Sequence, residues 1–156
     1  MNKLIKHLST SFLALMMVAF AGGLSGCDDK PSNKSPRGVL LKFGQALRDY
    51  NYQDFEEALT GKAFLQYGDT RRGNDRTGFD RLRAEAQAWG KLKVKTEIYL
   101  GSTVQVGMTV HAHEFIVAGD KGTIGKMRVR CEESVVTASI ARGSSRTCRV
   151  SDIEIQ

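Results

Sequence analysis

The period of the hydrophobic pattern changes once in this chain, at Gly90. Before it, apolar residues recur at helical spacing; after it, they alternate with polar ones. Val39, Phe43, Ala46, Leu47 and Tyr50 share one stripe of a first helix, which Ser35 can cap and Pro36 can open. Gly44 interrupts that stripe at a cost of about 1 kcal/mol relative to Ala, a cost that a close crossing would justify. Asn51 can cap a second helix carrying Tyr52, Phe55 and Leu59, with Gly61 as its stop and a short apolar piece from Ala63 to Tyr67 after it. Thr77 and Asp80 have the spacing of a capping box before a third stripe of Phe79, Leu82, Ala86 and Trp89, ended by Gly90.

Beyond Gly90, Lys91, Lys93 and Lys95 alternate with Leu92, Val94 and Thr96, and Ile98 and Leu100 continue the apolar side. This predicts a half-buried strand with a lysine-protected edge. Residues 103–118 are β-rich, and Asp120, Lys121 and Gly122 make a turn. Met127, Val129 and Cys131 face one side of the next strand, with Arg128 and Arg130 on the other. Residues 135–141 read as a further strand, Arg142, Gly143, Ser144 and Ser145 as a turn, and Cys148, Val150, Ile153 and Ile155 as the last strand. Helices followed by antiparallel strands define an α+β class, with N-terminal helices packed on a curved antiparallel sheet.

The N-terminus carries an address. Lys3 and Lys6 precede an apolar run over residues 12–20, too short to span a bilayer comfortably. Leu24, Ser25, Gly26 and Cys27 resemble the lipobox at which a lipoprotein signal peptide is cut, with Cys27 as the lipidated residue. The chain then divides into a signal peptide (1–26), a lipidated cysteine with a polar tether (27–35) and one domain (36–156). The eight polar residues 28–35, fully extended, reach roughly 25–30 Å. Asp28, with Asp29 after it, resembles the inner-membrane retention signal of enteric-type Gram-negative lipoproteins. The expected site is the inner membrane, facing the periplasm, in a Gram-negative host.

Removing Lys3 and Lys6 leaves 21 basic against 17 acidic residues, a net charge of +4. That excess suits an anionic leaflet and is too weak to argue for nucleic acid. Of three cysteines, Cys27 is used by the lipid, and Cys131 and Cys148 remain as an even pair for a disulfide in an oxidising compartment. Two free thiols are the alternative. No Cys-x-x-Cys motif or nearby histidine completes a metal set.

The order of three helices and then a curved sheet resembles the nuclear-transport-factor-2-like superfamily, a cone-shaped α+β fold. Residues 36–47, with Val39, Leu40, Phe43 and Leu47, resemble its first helix. Residues 54–60, with Phe55 and Leu59, resemble its second, and residues 148–153 its closing strand, with Cys148 where an aromatic often stands. A cystatin-like arrangement is the competing fold. The resemblance implies an apolar pocket between helices and sheet, in which enzymes of the superfamily place an acid or histidine as general base.

No residue pair here matches that chemistry. Asp152 and Glu154 alternate with Ile153 and Ile155 and are expected to face water, and Glu114, between His113 and Phe115, is not placed by the pattern. His111 and His113 lie about 7 Å apart on one strand face, a polar pair without a third ligand. Arg71, Arg72, Arg76, Arg81 and Arg83, interleaved with Asp69, Asp75 and Asp80, read as a solvated loop and helix face. The sequence therefore assigns no catalytic residue, no metal ligand and no cofactor. It points to a membrane-anchored module that binds or scaffolds an envelope protein partner. The alternatives are a small-molecule or lipid carrier using the cone pocket, and a pocket enzyme of the polyketide-cyclase-like type.

Overall fold

A computed structural model describes residues 30–68, 76–138 and 141–156, with side chains left aside at 135–138 and 141–144. Residues 1–29, which hold the signal-like run, Cys27 and Asp28, lie outside the described residues. The chain builds α1 (Pro36–Arg48), α2 (Tyr52–Glu57), a short α3 (Gly61–Ala63) running into a π-helical turn (Phe64–Gly68), and α4 (Thr77–Trp89). Four strands follow: β1 (Lys93–Gln105), β2 (Met108–Gly119), β3 (Gly122–Ala138) and β4 (Ala141–Ile155). They form one open antiparallel sheet in the order β1-β2-β3-β4, and the helices pack against it. The class is α+β, as the change of period at Gly90 requires.

Local signals placed the first two helices. Ser35 Oγ accepts the Gly38 N–H at 3.0 Å, and Asn51 Oδ1 accepts the Asp54 N–H at 3.1 Å. Ser35→Ala should therefore lower stability by about 1 kcal/mol; an unchanged denaturation midpoint would contradict the cap. The third helix differs from expectation. It begins at Thr77 itself, with Arg76 at the N-cap and no side-chain cap bond. Asp80 still complements the positive helix end from the first turn. Gly61 does not stop α2 either. That helix ends at Glu57, because Ala58 and Thr60 give their backbone groups to β4: Val150 N–H donates to Ala58 O at 2.7 Å, and Thr60 N–H to Val150 O at 2.8 Å.

Aromatic rings from the helices meet in the interior between helices and sheet. The Phe55 ring lies 5.5 Å from Phe43 and 4.8 Å from Phe79, centre to centre. Phe115, Met127, Val129 and Val150 close the sheet side, all buried.

Residues 103–118 are β-rich as expected, and two other strand expectations are corrected. The stretch 103–118 is broken by a two-residue turn at Val106 and Gly107, since Gln105 pairs with Met108 and Gly107 (φ 74°) supplies the positive dihedral. Residues 135–141 are not a separate strand, and residues 142–145 are not a turn. Cys131 stands opposite Cys148, and the ladder runs without a shift to Ala138 opposite Ala141. That register places Gly143 within the ladder opposite Val136, and the connection at 139–140 lies outside the described residues. In β1 the apolar side is not held on the core. Register shifts follow Val94 and Tyr99, and each extra residue exchanges the two faces. Ile98 and Leu100 are consequently exposed, while Glu97 and Tyr99 come opposite Phe115 and His113.

The polar stretch ahead of α1 also lies partly on the domain. Ser32 N–H donates to Gly38 O at 3.0 Å, and Cys148 N–H to Asn33 O at 2.7 Å.

Candidate functional site

The two edges of the sheet are unequal. The outer edge of β4 is covered near its middle by the protein's own backbone, through Asn33, Ala58 and Thr60. Among the described residues, no backbone hydrogen bond from outside the sheet reaches β1. Thirteen residues long, β1 is therefore an open template for another strand. Its lysines guard only the start: Lys93 pairs with Asp120 at 2.9 Å, and Lys95 is exposed. The remainder carries Ile98, Tyr99, Leu100 and Val104, all exposed, with Val104 at 80 %, and fully exposed Val106 in the turn. Such an apolar edge is a candidate interaction site.

A polar cluster sits behind that edge, on the helix-facing side of the sheet. The Tyr99 hydroxyl is 3.1 Å from His111 Nδ1, and His113 Nδ1 is 3.1 Å from Glu97 Oε1. His111 Nε2 lies 3.6 Å from Glu133 Oε2. His111 is half-buried and His113 buried, with its ring stacked near Phe115 at 6.2 Å. No group of three metal-capable side chains converges among the described residues. Periodicity found the two histidines but missed Glu97, Tyr99 and Glu133, because only the bulged register of β1 brings the first two to this face.

Burial holds His113 below the ordinary histidine range, against the pull of Glu97 and with Arg146 and His111 pushing the same way. The geometry explains the direction. With the Nδ1–H donated to Glu97, Nε2 is buried without a partner, and protonating it would leave an N–H with no acceptor. The unfolded chain takes up this proton near pH 6.5. Stability supplied by neutral His113 is thus complete above that pH and is lost as pH falls through the lower folded value. His113→Gln is expected to flatten the decline of the thermal midpoint between pH 7 and pH 5. An unaltered slope would contradict this assignment.

Glu114 lies on the outer face of the sheet, its carboxylate accepting Arg128 Nε at 3.1 Å with Lys126 at 3.8 Å. Asp152 does not simply face water. Its side chain is 14 % exposed and sits between Lys62 at 3.1 Å and Arg128 at 3.6 Å, while Glu154 is exposed. Arg128, held raised chiefly by its hydrogen bond to Glu114, ties this network together. Arg71, Arg72, Asp69 and Asp75 lie outside the described residues. The remaining arginines are spent on tyrosine rings: Arg76 lies 4.6 Å over Tyr52, Arg81 5.6 Å over Tyr67 and Arg83 4.6 Å over Tyr50.

Cys131 and Cys148 are disulfide-bonded cross-strand neighbours, buried, with Cα atoms 3.9 Å apart. No helix among the described residues is long and apolar enough to cross a membrane. Comparison of the chain with protein-family models, curated proteins and solved structures found no match.

Proposed function

We infer that this chain is a lipid-anchored lipoprotein of the cell envelope whose α+β domain binds or scaffolds an envelope protein through the open edge of β1. The observation that carries the reading is the inequality of the two sheet edges: β4 is covered by the chain's own backbone, and β1 is open and apolar. The partner adds an extended segment to β1, with main-chain hydrogen bonds for affinity and side-chain contacts at Ile98 and Val104 for specificity. The helix order and curved sheet support a nuclear-transport-factor-2-like assignment. The burial of Phe43, Phe55, Phe79 and Phe115 between helices and sheet favours a module over a carrier or a pocket enzyme. The lipobox-like residues ending at Cys27, with Asp28 after them, support a site at the inner membrane, facing the periplasm, in a Gram-negative host.

The experiment is a crosslinked pull-down of the tagged protein from native membranes, with and without Val104→Lys. Both versions should fold alike, since Val104 is exposed. The expected result is a defined envelope protein recovered with the unaltered chain and depleted at least about tenfold with the variant, a difference of about 1.4 kcal/mol. Equal recovery would remove β1 as the docking edge, and fractionation into the outer membrane would remove the sorting assignment.

A further inference from the structure

The domain already holds the chain at Ser32 and Asn33, and lipid on Cys27 would leave only five peptide units between the anchor and Ser32. Their reach is about 18 Å. A domain tied within that reach would lie close to the bilayer, with the surface around Lys30 and Pro31 toward the headgroups. That surface contains a cleft of about 250 Å³ lined by Pro31, Leu41, Gly44, Arg48, Lys91 and Leu92. Gly44 allows it: a Cβ there would stand 3.2 Å from Leu92 Cβ, so the helix and the segment leading into β1 meet closely. Arg48 and Lys91 are exposed and make no ion pair among the described residues, and Lys30 and Lys34, in the segment ahead of α1, are exposed as well. The acid nearest Lys91 is already engaged. Asp120 Oδ2 accepts the Lys91 N–H at 3.3 Å, and Oδ1 accepts Lys93 Nζ at 2.9 Å. Asp28 and Asp29 precede Lys30 in the sequence and exposed Asp49 follows Arg48, so the four basic side chains exceed these three acids by one.

We propose that this cleft is a membrane-contact site that takes the headgroup of an anionic phospholipid, of the phosphatidylglycerol type, from the leaflet that carries the anchor. The proposal rests on the lipid-anchored reading above. The phosphate pairs with Arg48, whose planar fork suits two oxygens, and with Lys91. The glycerol backbone lies against Leu41 and Pro31. The contact also orients the partner edge. Lys91 precedes β1 by two residues, so β1 starts at the membrane and its apolar far end stands about 40 Å further along a 13-residue strand.

The test uses the full mature protein reconstituted in vesicles of phosphatidylcholine alone or with one-third phosphatidylglycerol. A water-soluble amine-acylating reagent, read by mass spectrometry, compares Lys91 with Lys126 on the outer face of the sheet. The mass of the Cys27 peptide reports the anchor in the same sample. Lys91 should label about fivefold more slowly with phosphatidylglycerol present, the factor expected for one basic side chain at an anionic surface, while Lys126 does not change. Arg48→Glu should abolish the difference and leave the anchor intact. If Cys27 is lipidated and Lys91 labels equally in both vesicles, the cleft assignment is overturned and the anchor stands. If Cys27 carries no lipid, both fall. Equal protection by inorganic phosphate in phosphatidylcholine vesicles would make this a soluble-anion site and overturn the lipid assignment.

Discussion

Cys27→Ala is expected to leave a full-length precursor that takes up no labelled fatty acid. The signal peptidase of lipoproteins cuts only before a modified cysteine, so one side chain governs both processing and anchoring. The effect is all or none because of how lipid anchors add. Each buried CH₂ contributes about 0.8 kcal/mol, and a single chain holds a protein only marginally, whereas the two or three on a mature lipoprotein hold it stably. Gel mobility and label incorporation check this together. A variant that is still cut and still labelled would show that Leu24, Ser25, Gly26 and Cys27 are not a lipobox.

Removing the disulfide should have the largest effect on the folded domain. Cys131 and Cys148 close a loop with a sequence separation of 17, which in the chain-entropy picture contributes about 3 kcal/mol. For a domain of this size, the double replacement by serine should lower the thermal midpoint by about 10 °C. The bond also fixes register. From Cys131 opposite Cys148 to Ala138 opposite Ala141 the β3–β4 ladder has no shift, so the variant should show faster amide exchange along 131–138. Equal midpoints, or two alkylatable thiols in protein taken from an oxidising periplasm, would contradict the bond.

The features legible in the sequence were those decided within a few residues. Ser35 and Asn51 announce their helices because a cap needs only its own first turn, and Phe43, Phe55, Phe79 and Leu82 reveal core stripes by spacing alone. Apart from the Cys131–Cys148 pair, which cysteine arithmetic supplied, features decided across strands were not legible. The pattern from Leu92 to Leu100 implied one buried side, but register shifts after Val94 and Tyr99 exchange the faces, and nothing in the alternation marks a bulge. Gly143 and Ser144 are better turn residues than those at 139–140, yet the opposition of Cys131 and Cys148 carries the ladder past them. For the same reason the partners of His111 and His113 were invisible. Glu97, Tyr99 and Glu133 reach them only through cross-strand register.

If β1 is the partner edge and β4 is not, a partner will lie within reach of the first and not of the second. The most direct measurement is site-specific photo-crosslinking in intact cells of the native host, with the probe placed in turn at Ile98, Val104, Arg149 and Ser151. One envelope protein should be joined from Ile98 and Val104, and no adduct should form from Arg149 or Ser151, beside an edge already bonded to Ala58 and Thr60. Adducts from the β4 positions with none from β1 would contradict this edge assignment.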